Sequence, residues 1–261
     1  MSRFVTYNSV KIHFTSEGEG EAIVLLHGFL ENMSMWNSIK PHLLKTHCVI
    51  CIDLPGHGKS ECYNDVHTME FMAETVNSIL IHEGIGEAIL IGHSMGGYVS
   101  LAFAELYPEK VKALCLANST FNVDSVEKKI NRDRAVEAVK QNYKTFVRIA
   151  IPSLFDQSKL NKHQNEIRAL VSDALKMKTQ SIISAIKGMK LRPDRSNLFA
   201  NGKFKKMLIL GKNDSILNIK ELIKQTKKSD VEIIILEGGH MSYIEDVEDF
   251  TYNILHFIEN L

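Results

Sequence analysis

The chain has 261 residues and carries 31 Lys and Arg against 31 Asp and Glu, so its formal charge is zero with histidine neutral. That balance, with no long basic run, argues against a nucleic-acid surface or a polybasic membrane patch, and 44% hydrophobic with 24% charged residues excludes a disordered or collagen-like chain. At roughly 100 to 200 residues per domain the length suits one large domain or one domain with an insertion. Met1 to Ser16 mixes Arg3, Lys11 and His13 with alternating apolar residues and lacks the unbroken apolar stretch of a secretion signal, so none is expected. The longest apolar runs, such as Ala22 to Leu26, fall far short of the ~18 residues of a membrane span. A cytoplasmic protein is expected, with Cys48, Cys51, Cys62 and Cys115 as reduced thiols.

In chain order, Phe4 to Tyr7 and Val10 to Phe14 alternate in polarity and precede Glu17-Gly-Glu-Gly20, which predicts an opening β-hairpin. Six short apolar runs follow: Ala22 to Leu26, Cys48 to Ile52, Ala88 to Ile91, Val111 to Ala117, Met207 to Leu210 and Glu232 to Leu236. Strands apolar on both faces belong in a parallel sheet covered by helices on each side. Cys48-Val-Ile-Cys51 has CxxC spacing, but in a strand residues i and i+3 face opposite ways, so no metal is expected there. Tyr98 to Leu106 is apolar nearly all round and predicts a central, buried helix opening at Gly97. Ile244, Val247, Phe250, Ile254, Phe257, Ile258 and Leu261 recur at helical spacing and predict a C-terminal amphipathic helix. The interval from 118 to 206 has no convincing strand; Ala135, Ala138, Val139, Tyr143, Phe146, Val147 and Ala150 keep a helical period, as do Ile167, Leu170, Val171 and Leu175. Residues 121–196 therefore read as a helical insertion, with Pro152 separating two of its helices. The core is expected to comprise 1–120 and 197–261.

Chemistry concentrates at strand ends. Gly92-His-Ser-Met-Gly96 lies between a strand and a helix, the setting of a G-x-S-x-G nucleophile elbow. A sharp turn strains Ser94, and Cβ atoms two residues either side would collide with the neighbouring strand and helix, so glycine stands there. The hydroxyl then sits at a helix N-terminus, whose free N–H groups favour an oxyanion. Serine needs a base and the base an orienting acid. Of 11 histidines, His240 in Gly238-Gly-His240 follows the last strand and precedes the last helix, at the carboxyl edge where open α/β sheets bind ligands. Asp214 in Gly211-Lys-Asn-Asp214 follows its strand to the same edge. The oxyanion donors are expected to be the N–H groups of Met95, next after the serine, and Phe29, in the loop after the first apolar strand; Gly28 is expected to let that loop close on the substrate. His27, His57 and His93 read as structural hydrogen-bonding residues. The glycine spacing is not that of a dinucleotide fingerprint and no P-loop lysine follows it, so no cofactor is expected, and no His-Glu pair has zincin spacing.

Leu26-His-Gly-Phe29, Asp53-Leu-Pro-Gly-His-Gly-Lys-Ser60, Gly92-His-Ser-Met-Gly-Gly97, Gly211-Lys-Asn-Asp214 and Gly238-Gly-His240 together resemble the α/β-hydrolase superfamily over nearly the whole chain. The resemblance implies an α/β-hydrolase fold, a mostly parallel eight-stranded sheet flanked by helices, with a helical lid inserted after the sixth strand. It also implies a catalytic triad in the chain order Ser94, Asp214, His240. Leu191 to Ser196 resembles small esterases and enol-lactonases of the group. Gly211-Lys-Asn-Asp214 departs from the second acidic residue that many relatives carry there, and Ser215 to Asn218 lacks a proline, which loosens that loop's assignment.

The expected reaction is hydrolysis of small carboxylic esters, falling off on acidification as the imidazole of His240 takes a proton. Phe29, Trp36, Phe121, Phe146, Phe155 and Met241 are the expected substrate lining between lid and catalytic edge. C–C bond hydrolysis, lactone opening or a lyase reaction like that of menaquinone-pathway relatives would use the same triad, and Arg192 or Arg195 reaching the pocket would favour an anionic substrate. A small-molecule receptor with slow turnover is the reading from another class. The partner expected is a small-molecule ester, and the chain is expected to be a monomer or homodimer.

Overall fold

A computed structural model describes residues 2–227 and 229–261; Met1, part of the N-terminal stretch read for a leader, and Lys228 lie outside the described residues. Strands β1 (Ser2–Tyr7), β2 (Val10–Glu17), β3 (Glu21–Leu26), β4 (His47–Ile52), β5 (Ala88–His93), β6 (Val111–Ala117), β7 (Lys205–Gly211) and β8 (Glu232–Leu236) form one sheet in the order β1-β2-β4-β3-β5-β6-β7-β8. The opening hairpin pairs antiparallel and β2 pairs antiparallel with β4, while every pair from β4 to β8 is parallel. Leu26 pairs with both Ile52 and Gly92, His93 with Ala117, Ala117 with Ile209 and Gly211 with Leu236. These registers bring the carboxyl ends of the central strands to one edge, and every chemically loaded loop leaves from it.

Helices α1 (Lys40–Leu43), α2 (Met69–Glu83) and α3 (Met95–Leu106) cover the first half of the sheet. Thr68 caps α2 by accepting from the Phe71 N–H, and Gly84 closes it in the left-handed region at φ 70°. The helix α3 opens at Met95, two residues before the position expected from the sequence, because Ser94 itself makes the turn. Val99, Leu101 and Phe103 are buried in it, each worth roughly 1.5 to 3 kcal/mol relative to exposure. The strand β8 departs from expectation: it is an edge strand, and Ile235 is 49% exposed rather than buried on both faces.

Between β6 and β7 run α4 (Val126–Ala150), α5 (Gln164–Ala174), α6 (Thr179–Leu191) and α7 (Ser196–Asn201). The helix α4 stops at Ala150 and a short 3₁₀ turn begins at Pro152, as the proline predicts. An unforeseen break sits at Asn142 (φ −159°, ψ 88°). There the Asn142 Oδ1 accepts from the Thr145 N–H at 3.1 Å and so caps the second half of the helix. Both arginines near the end of the insertion anchor it. Arg192 pairs with Asp124 at 2.7 Å and lies 4.0 Å above the Tyr98 ring of α3, while Arg195 pairs with Glu70 of α2 at 2.5 Å and Glu105 of α3 at 2.7 Å.

After β7 come α8 (Ile219–Thr226), α9 (Ser242–Glu245) and α10 (Val247–Glu259). The apolar period from Ile244 reads as one helix, but the chain breaks at Asp246, whose carboxylate accepts from the Gly238 N–H at 2.6 Å. Among the described residues, no helix is long and apolar enough to cross a membrane.

Candidate active site

Ser94 joins β5 directly to α3 at φ 49° and ψ −113°, a conformation costing roughly 1 to 3 kcal/mol that persists only where surroundings impose it. The Ser94 N–H donates to the Ala117 carbonyl at 2.9 Å, and the Ser94 carbonyl accepts from Gly97 N–H at 3.0 Å and Ser119 hydroxyl at 2.7 Å. A Cβ on Gly92 would overlap the start of α3, and one on Gly96 would overlap the Leu26 carbonyl at the end of β3. Helix and sheet thus close on the turn from both sides, and the serine hydroxyl is left at the helix N-terminus.

The loops after β7 and β8 bring the other two side chains to it. The His240 Nε2 lies 2.8 Å from the Ser94 Oγ, and its Nδ1 lies 2.7 Å from the Asp214 Oδ2. A carboxylate accepts from Nδ1–H, which leaves the Nε2 lone pair facing a hydroxyl that donates to it. Asp214 Oδ1 accepts from the Ile216 and Leu217 N–H groups at 2.8 and 3.1 Å, and Oδ2 also accepts from the Asn118 amide at 3.2 Å. Burial pushes its carboxyl up, but the His240 charge and hydrogen bond, the Ile216 N–H and Asn118 together hold it below the usual carboxylate range. The arrangement can make a serine oxygen nucleophilic and store its proton on an imidazole.

Several supporting groups are absent from the sequence reading. Asn118 (φ 44°), at the end of β6, also donates to the Gly239 carbonyl at 3.1 Å and accepts from the Ser242 hydroxyl at 2.5 Å. Glu31 accepts from the Gly28 N–H at 2.7 Å and lies 2.9 Å from His93 Nδ1. What glycine admits at position 28 is therefore this carboxylate and the His93 ring, both of which a Cβ would overlap. His27 accepts at Nε2 from the Leu54 N–H at 2.9 Å and donates from Nδ1 to the Gly28 carbonyl at 2.8 Å, a structural role; burial pushes its pKa down. The insertion reaches the site too. The His240 N–H donates to the Leu154 carbonyl at 2.9 Å, and Glu245 takes the Asp156 and Gly239 N–H groups, each at 2.8 Å.

The six expected lining residues divide. Phe29 and Phe146 are half-buried, and Phe29 meets the His57 ring edge-on at 6.3 Å between centroids. Trp36 is 0% exposed and stacks on Phe250 of α10, because its 3₁₀ turn at Met33–Asn37 points it into the core. Phe121 stacks on Phe199 of α7 at 5.1 Å, Phe155 packs on His163 at 5.9 Å, and Met241 is buried. Cavities of about 480 and 380 Å³ lie between the 30–40 segment and residues 166–177, sharing Leu30, Glu31, Asn32, Ser34 and Asp173; none of the six borders them. Neither Arg192 nor Arg195 is free to meet an anionic substrate, since both are committed to internal ion pairs.

A family profile described as the alpha/beta hydrolase fold matches residues 21–247. The chain is 29% identical over 256 residues to a dihydrolipoyllysine-residue acetyltransferase component of the acetoin cleaving system from Pseudomonas putida, a match covering 94% of this chain and 65% of that protein. It therefore spans slightly less than two thirds of that relative's length. A thermophilic esterase from Thermogutta terrifontis superposes with a TM-score of 0.92 at 28% identity, covering 100% of this chain and 98% of that one. An enol-lactonase from Burkholderia xenovorans LB400 superposes at 0.90 with 21% identity, covering 98% and 100%, a likeness of fold. With the profile extending from β3 to the start of α10, the chain belongs to the alpha/beta hydrolase family.

Proposed function

We propose that the protein is a serine hydrolase that cleaves small carboxylic esters through an acyl-enzyme, with Ser94, His240 and Asp214 as its catalytic triad. The observation that carries this reading is the continuous pair of hydrogen bonds, 2.8 Å from serine to imidazole and 2.7 Å from imidazole to carboxylate. The Ser94 oxygen attacks the ester carbonyl carbon as its proton passes to His240 Nε2. Asp214 stays ionised, fixes the ring and offsets the imidazolium charge. The N–H groups of Phe29 and Met95 hold the oxyanion. As the tetrahedral centre collapses, the bond to the alcohol oxygen breaks and His240 returns the proton to it. A water then gives a proton to His240, attacks the acyl carbon, and releases the acid while Ser94 regains its proton.

The helical insertion, residues 121–196, is proposed as the lid over this edge. The half-buried Phe29 and Phe146 are the aromatic residues proposed to meet an acyl group, and the buried Trp36, Phe121, Phe155 and Met241 are proposed as packing residues. Likeness to the Thermogutta esterase over the full chain supports ester substrates.

A p-nitrophenyl ester chain-length series run beside a lactone and a vinylogous diketone tests the proposal. The expected result is repeated turnover of short esters. Turnover confined to the lactone or the diketone, or one slow acylation with product retained, would replace the ester reading with a lactonase, a C–C hydrolase or a receptor.

A further inference from the structure

Behind the serine and its base lies a second, buried set of titratable groups that the acyl-transfer steps do not use, bordering the two cavities through Glu31 and Tyr243. The Glu31 Oε2 accepts from the Gly28 N–H at 2.7 Å and faces His93 Nδ1 at 2.9 Å, while Oε1 faces the Tyr243 hydroxyl at 2.7 Å. The other nitrogen of His93, Nε2, lies 2.9 Å from the backbone carbonyl of His240. A carbonyl only accepts, so Nε2 must carry a proton. The Oε2 already receives a backbone N–H and the Oε1 a phenol, an environment that suits a carboxylate and leaves Nδ1 to donate as well.

We propose that Glu31 is a positioning residue for acyl transfer: ionised, and paired with a doubly protonated His93, it locks the oxyanion loop, the serine turn and the base loop to one another. The proposal rests on the serine-hydrolase reading for its kinetic consequence, but the charge state of the pair stands without it. Gly28 precedes the proposed donor Phe29, His93 precedes Ser94, and the carbonyl held by His93 belongs to the base itself. One carboxylate therefore fixes three loops that the chain brings together from far apart. Burial works against the pair, raising the carboxyl and lowering the imidazole, yet each group's charge and hydrogen bond outweigh it, so Glu31 stays below its ordinary range and His93 above its own. The groups facing His93 are Glu31, the Tyr243 and His240 rings at 5.3 Å, and, by charge alone, Asp214 and His27. Burial raises the Tyr243 phenol well above its ordinary value, which keeps it neutral and donating.

Glutamine in place of Glu31 keeps the shape but sets an N–H₂ group against either the Gly28 N–H or the Tyr243 hydroxyl, so one donor loses its acceptor. The test is ¹⁵N-histidine NMR of the full chain combined with steady-state kinetics on p-nitrophenyl acetate. Wild type is expected to show both His93 nitrogens protonated at about pH 7, where an ordinary imidazole is mostly neutral. Glu31→Gln is expected to show a singly protonated His93 at that pH. Its kcat should fall about 10²-fold from misplacement of the reacting groups, with KM changed by no more than about threefold. A singly protonated His93 in wild type at about pH 7 overturns the proposal even if the variant does not fold. A folded Glu31→Gln with full kcat, or with its loss confined to KM, overturns it as well. If wild type turns over no ester, the hydrolase reading fails while the NMR result still decides the charge state of the pair.

Discussion

The proposed catalytic edge and the helical insertion are built on different plans. In α3, behind the serine, every residue from Met95 to Ala104 is buried, whereas the longer α4 of the insertion buries only Val136, Val139 and Val147. The edge is also cross-linked by side chains that each serve several partners: Asn118 reaches Asp214, Gly239 and Ser242, and Glu31 reaches Gly28, His93 and Tyr243. The insertion is held by Arg192 and Arg195 at its exit, by the 153–156 turn against the loops after β7 and β8, and by the buried face of α6, whose Ser184 bonds to Asn64 and His67. Under the proposed triad and lid, such a division would keep the bond-breaking geometry fixed while the cover changes, and it separates what each region should do when altered.

The largest expected effect is on the edge. Ser94→Ala should lower kcat by roughly 10⁴ to 10⁶ and leave the melting temperature of the protein unchanged or raised, since the strained turn loses nothing it depends on for packing; steady-state kinetics and thermal unfolding check both. At the seam, Arg192→Ala should cost about 1 to 3 kcal/mol by removing one of the two arginines, Arg192 and Arg132, that pair with the buried Asp124. Denaturant unfolding measures the loss, and hydrogen exchange should place it in α4 and α6 before the sheet. Equal loss of protection in β5 and β6 would mean that edge and insertion unfold as one.

Acid and alkali should also tell the regions apart. Asp214, Glu31 and Asp124 all have lowered carboxyl pKa values, so their contributions are present above the ordinary carboxyl value near 4 and vanish as pH falls through the lower folded values. Acid therefore weakens both regions. The His93 value is raised, so its contribution is complete below an ordinary imidazole value near 6.5 and is lost as pH rises through the higher folded value. Hydrogen exchange should accordingly show alkaline weakening at the edge and not in α4 to α6; uniform weakening would blur the comparison. The smallest effect belongs to the proposed lining. Phe146→Ala should shift kcat/KM along the ester series by about tenfold while leaving kcat on the shortest ester within about twofold; a uniform fall in kcat across the series would place Phe146 in the edge's machinery instead.

What could be read from the sequence follows the same division. The strands and the serine turn were legible because their signals are local: apolar runs of strand length, and glycines two residues either side of Ser94. Asp214 and His240 could be placed because a residue just after a parallel strand has only one edge to occupy. Glu31 and Asn118 could not, because nothing near them in the chain names the partners that tertiary structure supplies. The break at Asp246 was hidden because the apolar period runs through it, while its carboxylate accepts from the Gly238 N–H of the preceding loop. Burial of Trp36 was not legible, because an aromatic near the loop after β3 looks alike in sequence whether it lines a pocket or fills the core. Asn142 was legible in principle as a helix cap, but the apolar period runs through it unbroken and masks the kink.

Acyl transfer at this edge requires that the Ser94 oxygen be nucleophilic in the folded protein. Intact-mass measurement and peptide mapping after treatment with a fluorophosphonate test it most directly. The predicted result is one adduct per chain, located on Ser94 and absent from His240→Ala within the same exposure. No adduct on the folded wild type, or an adduct on another residue, would contradict it.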